Sequence, residues 1–293
     1  ISFSIITPTY NRGHLLQRVA KSLTIQKEGL ISEWIIIDDG SIDDTKKIID
    51  DLKNALSFKI KYKYHKNMGV GHSHNLGMSL VTSNFFFKID SDDYLLPGAL
   101  EHISDCINEF ISPANNKKVY AYSFPCRDTK NRTINNISVL KDNAIKHSDL
   151  YYLGNYTDIR ISGILKGDLL DVFPSSPVLD HFRFGMYSTE KCNPTGFISM
   201  FLADYCKTYV CYSTQSVLVK DYQDTGISKS KLDSLDALPR AYLFGTIWEL
   251  ILTRDNFMLW QNSLRRLLRT TLRIIILDIK YNLVKLFLKK KSK

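Results

Sequence analysis

The sequence predicts an α/β protein: a mostly parallel sheet with helices on both faces, followed by a basic amphipathic helical extension. Three observations carry this. Apolar runs of strand length end abruptly in polar or acidic turns, stretches with helical apolar spacing separate them, and the net positive charge sits in residues 261–293. Strands that read as continuous apolar runs are buried on both faces, as in a parallel sheet covered by helices.

Taken in order, Ser2–Thr7 is a β-rich run stopped at Pro8, and Thr9-Tyr10-Asn11-Arg12-Gly13 makes a polar turn. Leu15, Leu16, Val19 and Leu23 then share one helical face. Trp34–Ile37 is a fully apolar strand ending in Asp38-Asp39-Gly40-Ser41. Asp43 and Asp44 stand where a helix start favours acids, and Ile48, Ile49 and Leu52 continue its apolar face. Phe58–Tyr64 alternates as a third strand, and Asn67, Gly69 and Gly71 lead into a helix running through Asn75 to Leu80. The fourth strand, Phe85–Ile89, delivers Asp90, Asp92 and Asp93 to a sheet edge. Carboxylates packed this closely repel one another unless a cation, a helix N-terminus or solvent relieves them. Two readings fit the cluster alone: a divalent ion carrying phosphates, or an acidic turn before the helix that Pro97 begins.

In such sheets ligands bind beyond the carboxyl ends of the strands, where strand order reverses. The polar ends of strands one, two and four therefore collect along one edge. That edge suits a nucleotide, with an aromatic or proline wall for the base and acids for ribose and a metal-bound diphosphate. No G-x-G-x-x-G follows the first strand, which argues against a dinucleotide cofactor and hydride transfer. A basic, glycine-rich phosphate loop is also missing there, which argues against a nucleotidyltransferase.

Further along, Val119–Phe124 reads as a strand, Asp128–Ser138 as a polar loop, Ile159–Leu165 as a strand, and Tyr209–Val219 as one alternating strand before the polar segment Tyr222–Ser228. Composition is that of an ordinary globular protein, with 44% hydrophobic and 24% charged residues in 293. The five cysteines are odd in number and scattered, as expected of a reduced compartment, and the chain opens with no basic, apolar export leader. The expectation is a cytoplasmic protein.

Four segments together resemble a known family. Ile6-Thr7-Pro8-Thr9-Tyr10-Asn11, Ile37-Asp38-Asp39-Gly40-Ser41, Asn67-x-Gly69 with Asn75-x-Gly77, and Asp90-Ser91-Asp92-Asp93 look like the successive signatures of family 2 glycosyltransferases of GT-A fold, a Rossmann-like sheet flanked by helices. The resemblance covers roughly the first 110 residues, in order and in register. It implies an inverting transferase using a nucleotide-sugar donor, commonly a UDP-sugar, with Mg²⁺ or Mn²⁺. By position, Pro8, Thr9 and Tyr10 would line the base pocket and Asp38 or Asp39 would read the uracil. Asp90 would face the ribose, Asp92 the metal, and Asp93 would support the loop; Asn67, His74 and Ser91 complete the donor side. One departure stands out: the family usually has an arginine where this chain has His74, and a neutral imidazole is a weaker phosphate partner than a guanidinium.

Inverting transfer needs a carboxylate to take the acceptor's proton. Some relatives carry an acid at the position of Thr195, which cannot serve as a base. Glu190 is then the first choice, with Asp180 and Asp204 behind it. Lys220, Ser228 and Lys229 are candidate donors to the diphosphate. The alternative reading is a catalytically silent nucleotide-sugar-binding or scaffold protein of the same fold.

Residues 261–293 hold ten Lys/Arg against Asp278 alone, so the rest of the chain is neutral. Leu264, Leu268, Ile275, Ile279 and Leu283 recur at helical spacing among Arg265, Arg266, Arg269, Arg273 and Lys280. The longest uninterrupted apolar run, Ile274–Leu277, is too short to span a bilayer. The expected partner is an anionic membrane surface; packing on the catalytic domain or on a second protomer in a homo-oligomer is the alternative. Nucleic acid is disfavoured, because the neutral body continues no basic face. The expected organisation is a transferase domain over 1–230, with a nucleotide-binding half at 1–110 and an acceptor half at 111–230, and a helical extension at 231–293. The acceptor expected is a glycan, lipid-linked in surface polysaccharide synthesis.

Overall fold

The computed structural model describes residues 1–111, 119–133, 144–146, 161–165, 209–212, 215–223 and 264–276, with helical positions at 243, 247, 250, 261 and 279. The chain divides into two compact units, Ile1–His181 with Lys207–Gln223, and Phe182–Cys206 with Asp224–Lys293.

In the first unit, strands and helices alternate as the apolar pattern requires: β1 Phe3–Thr9, α1 Gly13–Thr24, β2 Ile31–Asp38, α2 Thr45–Ala55, β3 Lys59–Tyr64, α3 Val70–Ser79 and β4 Phe85–Lys88. Then come β5 Tyr94–Leu95, α4 Ala99–Ile111, β6 Val119–Phe124, β7 Cys126–Asp128, β8 Ala144–Lys146, β9 Ile161–Leu165, β10 Tyr209–Tyr212 and β11 Leu218–Lys220. The main sheet has the order β3-β2-β1-β4-β9-β6-β10-β8, and a small sheet pairs β5-β11-β7.

The nucleotide half is parallel throughout: β1 pairs with both β2 and β4 in parallel, and β2 with β3. Beyond β4 the sheet is mixed, because β9 runs antiparallel to both β4 and β6 while β6 and β10 are parallel. The single strand expected over Tyr209–Val219 is two strands in different sheets. Its alternation is broken by the polar stretch Ser213-Thr214-Gln215-Ser216, after which the chain enters the small sheet beside β5 and β7.

Alternate residues of the central strands feed two cores. Phe3, Ile5, Trp34, Ile36, Phe85 and Phe87 face one side, packed by Leu16, Val19 and Leu23 of α1 and by Leu100, Ile103 and Ile107 of α4. Ile6, Ile35, Ile37 and Phe86 face the other, covered by Met78 of α3 and Val81. The close seat of α3 depends on Gly77, where a Cβ would overlap the Ile6 Cγ2 methyl. The effect is a rigid platform whose carboxyl edge carries the loops after β1, β2, β3 and β4, with the strand order reversing between β1 and β4.

In the second unit, residues 264–276 form a helix on which Leu268, Leu272, Ile275 and Ile276 are exposed, as is Ile279 beyond it. Among the described residues, no helix is long and apolar enough to cross a membrane.

Candidate functional site

The acidic loop starts where β1 and β4 stop pairing, at the bond from Ile89 N to Ile6 O, 2.9 Å, and the turn closes with Asp93 N donating to Asp90 O at 3.0 Å. Carboxylate oxygens of Asp90, Asp92 and Asp93 all lie within 4.8 Å of one another, while Ser91 is buried inside the turn. Three cations answer them. Arg12 Nη1 donates to Asp92 Oδ2 at 2.7 Å. Lys220 Nζ lies 3.3 Å from Asp93 Oδ2 and 4.0 Å from Asp90 Oδ2. Arg18 reaches across from α1, donating through Nη2 to the Asp92 carbonyl at 2.6 Å and through Nη1 to Asp221 Oδ2 at 2.7 Å, and it stacks over the Tyr94 ring. Asp221 N in turn donates to Asp93 Oδ1 at 3.2 Å. The end of β11 is thereby fastened to the acidic loop.

Burial pushes the Asp92 carboxyl up, the Arg12 guanidinium pulls it down, and Asp90 pushes it up again. Asp93 rises to about 7, by burial and then by the Asp90 charge, with Lys220 opposing. Burial and mutual repulsion thus both disfavour the fully ionised cluster. All its ligand atoms are hard oxygens, the donor set that suits Mg²⁺ or Mn²⁺. Asp90 and Asp92 fit such an ion; Asp93 is turned to Lys220 and the Asp221 amide.

The first three loops are knitted together beside this cluster. Asn11, at φ 51°, accepts through Oδ1 from Ile42 N at 2.8 Å and donates its own N–H to Ser41 Oγ at 2.8 Å. Gly40, at φ 89°, brings its backbone so near Asn67 that a Cβ would sit 2.8 Å from Asn67 N. Asp38, paired in register with Thr9, accepts from Ser41 N and from Tyr62 Oη, each at 2.8 Å. Burial, and then that bond to Asp38, raises the Tyr62 phenol's pKa. Asp39 accepts from Met68 N at 2.6 Å and Gly69 N at 2.9 Å, with His65 Nδ1 at 3.4 Å. Both carboxylates therefore hold loops in place. Pro8 and Thr9 close β1, the Thr9 hydroxyl is buried with no hydrogen-bond partner among the described residues, and Tyr10 is 45% exposed at the rim.

His74 lies on α3 with Nε2 buried and lacking a hydrogen-bond partner among the described residues. Burial, and then the charge of Lys88, pushes its pKa down to about 3, against the pull of Asp90, so the imidazole is neutral. The structure therefore gathers Pro8, Thr9, Tyr10, Asp38, Asp39, Asn67, His74, Asp90, Ser91 and Asp92 onto one carboxyl edge and the loops and helix beside it. Glu190 and Asp180, like Thr195, Asp204, Ser228 and Lys229, lie outside the described residues. Lys88, Arg18 and Asp221 escaped the sequence reading. Lys88 had a signal, a charge inside an apolar strand; the Arg18–Asp221 pair, 203 residues apart, had none.

A mainly parallel α/β platform with an acidic D-x-D-D loop at its strand-order reversal defines a GT-A-fold protein, and solved structures share it. The Staphylococcus aureus TarS structure in complex with UDP-GlcNAc superposes with a TM-score of 0.66 at 18% identity, covering 91% of this chain and 72% of that one. Within the chain, residues 4–139 match the family described as Glycosyl transferase family 2. Among curated relatives, the Bacillus subtilis minor teichoic acid biosynthesis protein GgaA is 36% identical over 118 residues, 38% of this chain and 26% of that protein. The Campylobacter jejuni GalNAc(5)-diNAcBac-PP-undecaprenol beta-1,3-glucosyltransferase is 36% identical over 108 residues, 36% of this chain and 34% of that protein. The matched segment thus spans about a quarter to a third of the length of these two relatives.

Proposed function

We propose that the chain is an inverting glycosyltransferase moving a sugar from a nucleotide-sugar donor, a UDP-sugar in first place, to a glycan acceptor that is lipid-linked in surface polysaccharide synthesis. The observation that carries the reading is the cluster of Asp90, Asp92 and Asp93 beside the end of β1, at the strand-order reversal. The donor class is supported by the UDP-GlcNAc complex of TarS, and the acceptor class by the PP-undecaprenol-linked glycan in the name of the C. jejuni relative.

In this reading Pro8, Thr9 and Tyr10 wall the base, Asp38 or Asp39 accepts its imide N–H through a remaining lone pair, and Asn67, Ser91 and Asp90 shape the ribose side. Asp92, with Asp90, would hold Mn²⁺ or Mg²⁺. A divalent ion there offsets charge growing on the departing diphosphate. Glu190, with Asp180 next in line, takes the acceptor hydroxyl's proton as the sugar carbon is attacked from the face opposite the nucleotide.

A thermal-shift panel of UDP- and GDP-sugars with and without Mn²⁺, followed by assay of released nucleotide, tests this. UDP-sugars should raise Tm in a Mn²⁺-dependent way, and EDTA should abolish turnover. A panel with no shift would overturn the donor reading, and full turnover in EDTA would overturn the metal. The neutral His74 favours one second reading, a silent nucleotide-sugar-binding protein, for which shifts would appear without turnover on any acceptor or on water.

The extension adds a place of action. Leu268 and Leu272, 61% and 59% exposed, share a stripe with Ile275, Ile276 and Ile279, with exposed Arg265 at its start and exposed Arg269 along its edge. An apolar stripe beside a basic flank suits the interface of an anionic leaflet. We therefore infer a peripheral protein on the cytoplasmic face, with residues 231–293 as the attachment segment and 1–230 as the transferase domain.

A further inference from the structure

Lys88 interrupts an otherwise apolar strand two residues before Asp90, and none of the roles above uses it. Its surroundings follow from two periodicities. Phe86 and Lys88 lie on the same face of β4, one pleat apart, and that face is covered by α3. The strand runs away from the α3–β4 connection while the helix runs into it. Two strand residues advance about 6.6 Å, close to the roughly 6 Å of four helical residues. Met78 packs in one apolar cluster with Phe86, so His74, one turn earlier, stands over Lys88.

The chemistry of that pair is one-sided. His74 Nε2 is buried without a hydrogen-bond partner among the described residues. The two side chains are close enough for the charge of Lys88 to act on the imidazole and for Asp90 to act on both. Among the neighbouring acids, Asp92 already carries Arg12, and Asp93 carries Lys220. A divalent ion taken by Asp90 and Asp92 would leave this edge with about two more positive than negative charges. An anion with about two charges restores the balance, and a diphosphate esterified at both ends is such a group.

The geometry points to Lys88, with His74 beside it, as the phosphate-binding pair of the donor site, Nζ and Nε2 taking the diphosphate oxygens of a nucleoside diphosphate or its sugar ester. The inference rests on the nucleotide-donor reading above. A cation delivered from β4 does from the strand what a longer cation at position 74 would do from α3. The strand and helix positions are therefore interchangeable in charge.

Calorimetry on the full chain with Mn²⁺ separates the outcomes, using UDP and GDP against uridine and guanosine as probes. Lys88→Met, an apolar side chain of similar length among Phe86, Ile6 and Met78, should weaken the diphosphate form about tenfold or more while leaving nucleoside affinity unchanged. Lys88→Arg should stay within about threefold of the parent, and His74→Arg in the Lys88→Met background should restore most of the loss. Equal diphosphate affinity in parent and Lys88→Met overturns the inference. So does a Lys88→Met protein whose nucleotide-free Mn²⁺ affinity tightens by electron paramagnetic resonance while its metal-free UDP affinity is unchanged, because Lys88 would then be only a counter-ion to Asp90. If the parent binds neither UDP nor GDP, the donor reading itself falls, which is a separate result. Lys88→Gln, which keeps a polar side chain at the strand end, should show the same loss of diphosphate affinity and decides in place of Lys88→Met if that chain fails to melt cooperatively.

Discussion

Arg12 Nη1 sits 2.7 Å from Asp92 Oδ2, so the side chain best placed to bind a divalent ion is already held by a cation of the protein. Both groups are largely buried, which lessens solvent screening of the pair. A metal therefore competes with the guanidinium for this carboxylate. Arg12→Gln should tighten nucleotide-free Mn²⁺ binding about three- to tenfold, whereas Asp92→Asn should weaken it far more. Electron paramagnetic resonance of free Mn²⁺ reads both. Unchanged or weaker binding in Arg12→Gln would mean that Arg12 supports the site rather than competing for it.

At the opposite edge of the sheet, Glu33 ties four segments together. It accepts from Ser4 Oγ at 2.7 Å, Thr82 N at 2.9 Å and Thr82 Oγ1 at 2.9 Å, and pairs with Lys61 Nζ at 2.6 Å. Burial alone would raise its pKa; the bonds from Lys61, Ser4 and Thr82 outweigh that and lower it. A carboxyl depressed in the folded state stabilises above its unfolded pKa and loses that contribution as pH falls through the folded value. Glu33→Gln should cost about 2–4 kcal/mol at neutral pH, and the gap from the parent should close as pH falls below about 4. Urea titrations at pH 7 and pH 3.5 measure it; a gap that persists in acid would assign the loss to shape rather than charge.

Gly77 sets the distance between α3 and β1, since any Cβ there meets the Ile6 methyl group inside the sheet. Gly77→Ala removes a helix-disfavouring glycine yet forces overpacking, and the second effect should win by about 1–3 kcal/mol. The expected result is a lower Tm together with weaker nucleotide binding, because His74 rides on the same helix. A Tm at or above the parent's would show that α3 has room to shift.

The nucleotide half was legible because every strand ends in a polar punctuation and α1 and α2 each keep one apolar stripe, signals that need no long-range knowledge. Asp90-Ser91-Asp92-Asp93 became readable as a site once three upstream loops were seen in register, and β1–β4 pairing places them on one edge. What stayed hidden depends on distant partners. The bond of Arg18 to Asp221 joins α1 to the end of β11, and the division of Tyr209–Val219 between two sheets depends on β5 and β7 as neighbours. The loop-holding part of Asp38 and Asp39 was not legible either, because Tyr62 lies on β3 and Met68 and Gly69 in the loop after it.

The proton acceptor is the step on which turnover, as distinct from donor binding, depends. With Glu190 as base, Glu190→Gln should lower kcat about 10²- to 10⁴-fold while UDP affinity stays within about twofold. Asp180→Asn should leave kcat largely intact. The reverse pattern would move the role to Asp180, and full activity in both would move it to Asp204.

Attachment at a membrane asks for apolar area and charge together, and the 264–276 helix separates the two contributions. Replacing Leu268 and Leu272 with aspartate removes exposed apolar surface without touching an arginine, whereas replacing Arg265 and Arg269 with glutamine removes charge without touching the stripe. In flotation with vesicles of phosphatidylglycerol and phosphatidylcholine, the leucine variant should stay unbound at all salt concentrations. The arginine variant should lose roughly 1 kcal/mol of binding for each charge removed, and the parent's binding should fall as salt screens the surface. If the leucine variant still floats, the stripe faces protein instead, and a concentration-dependent change in mass by sedimentation should then distinguish a second copy of the chain from the anionic lipid surface.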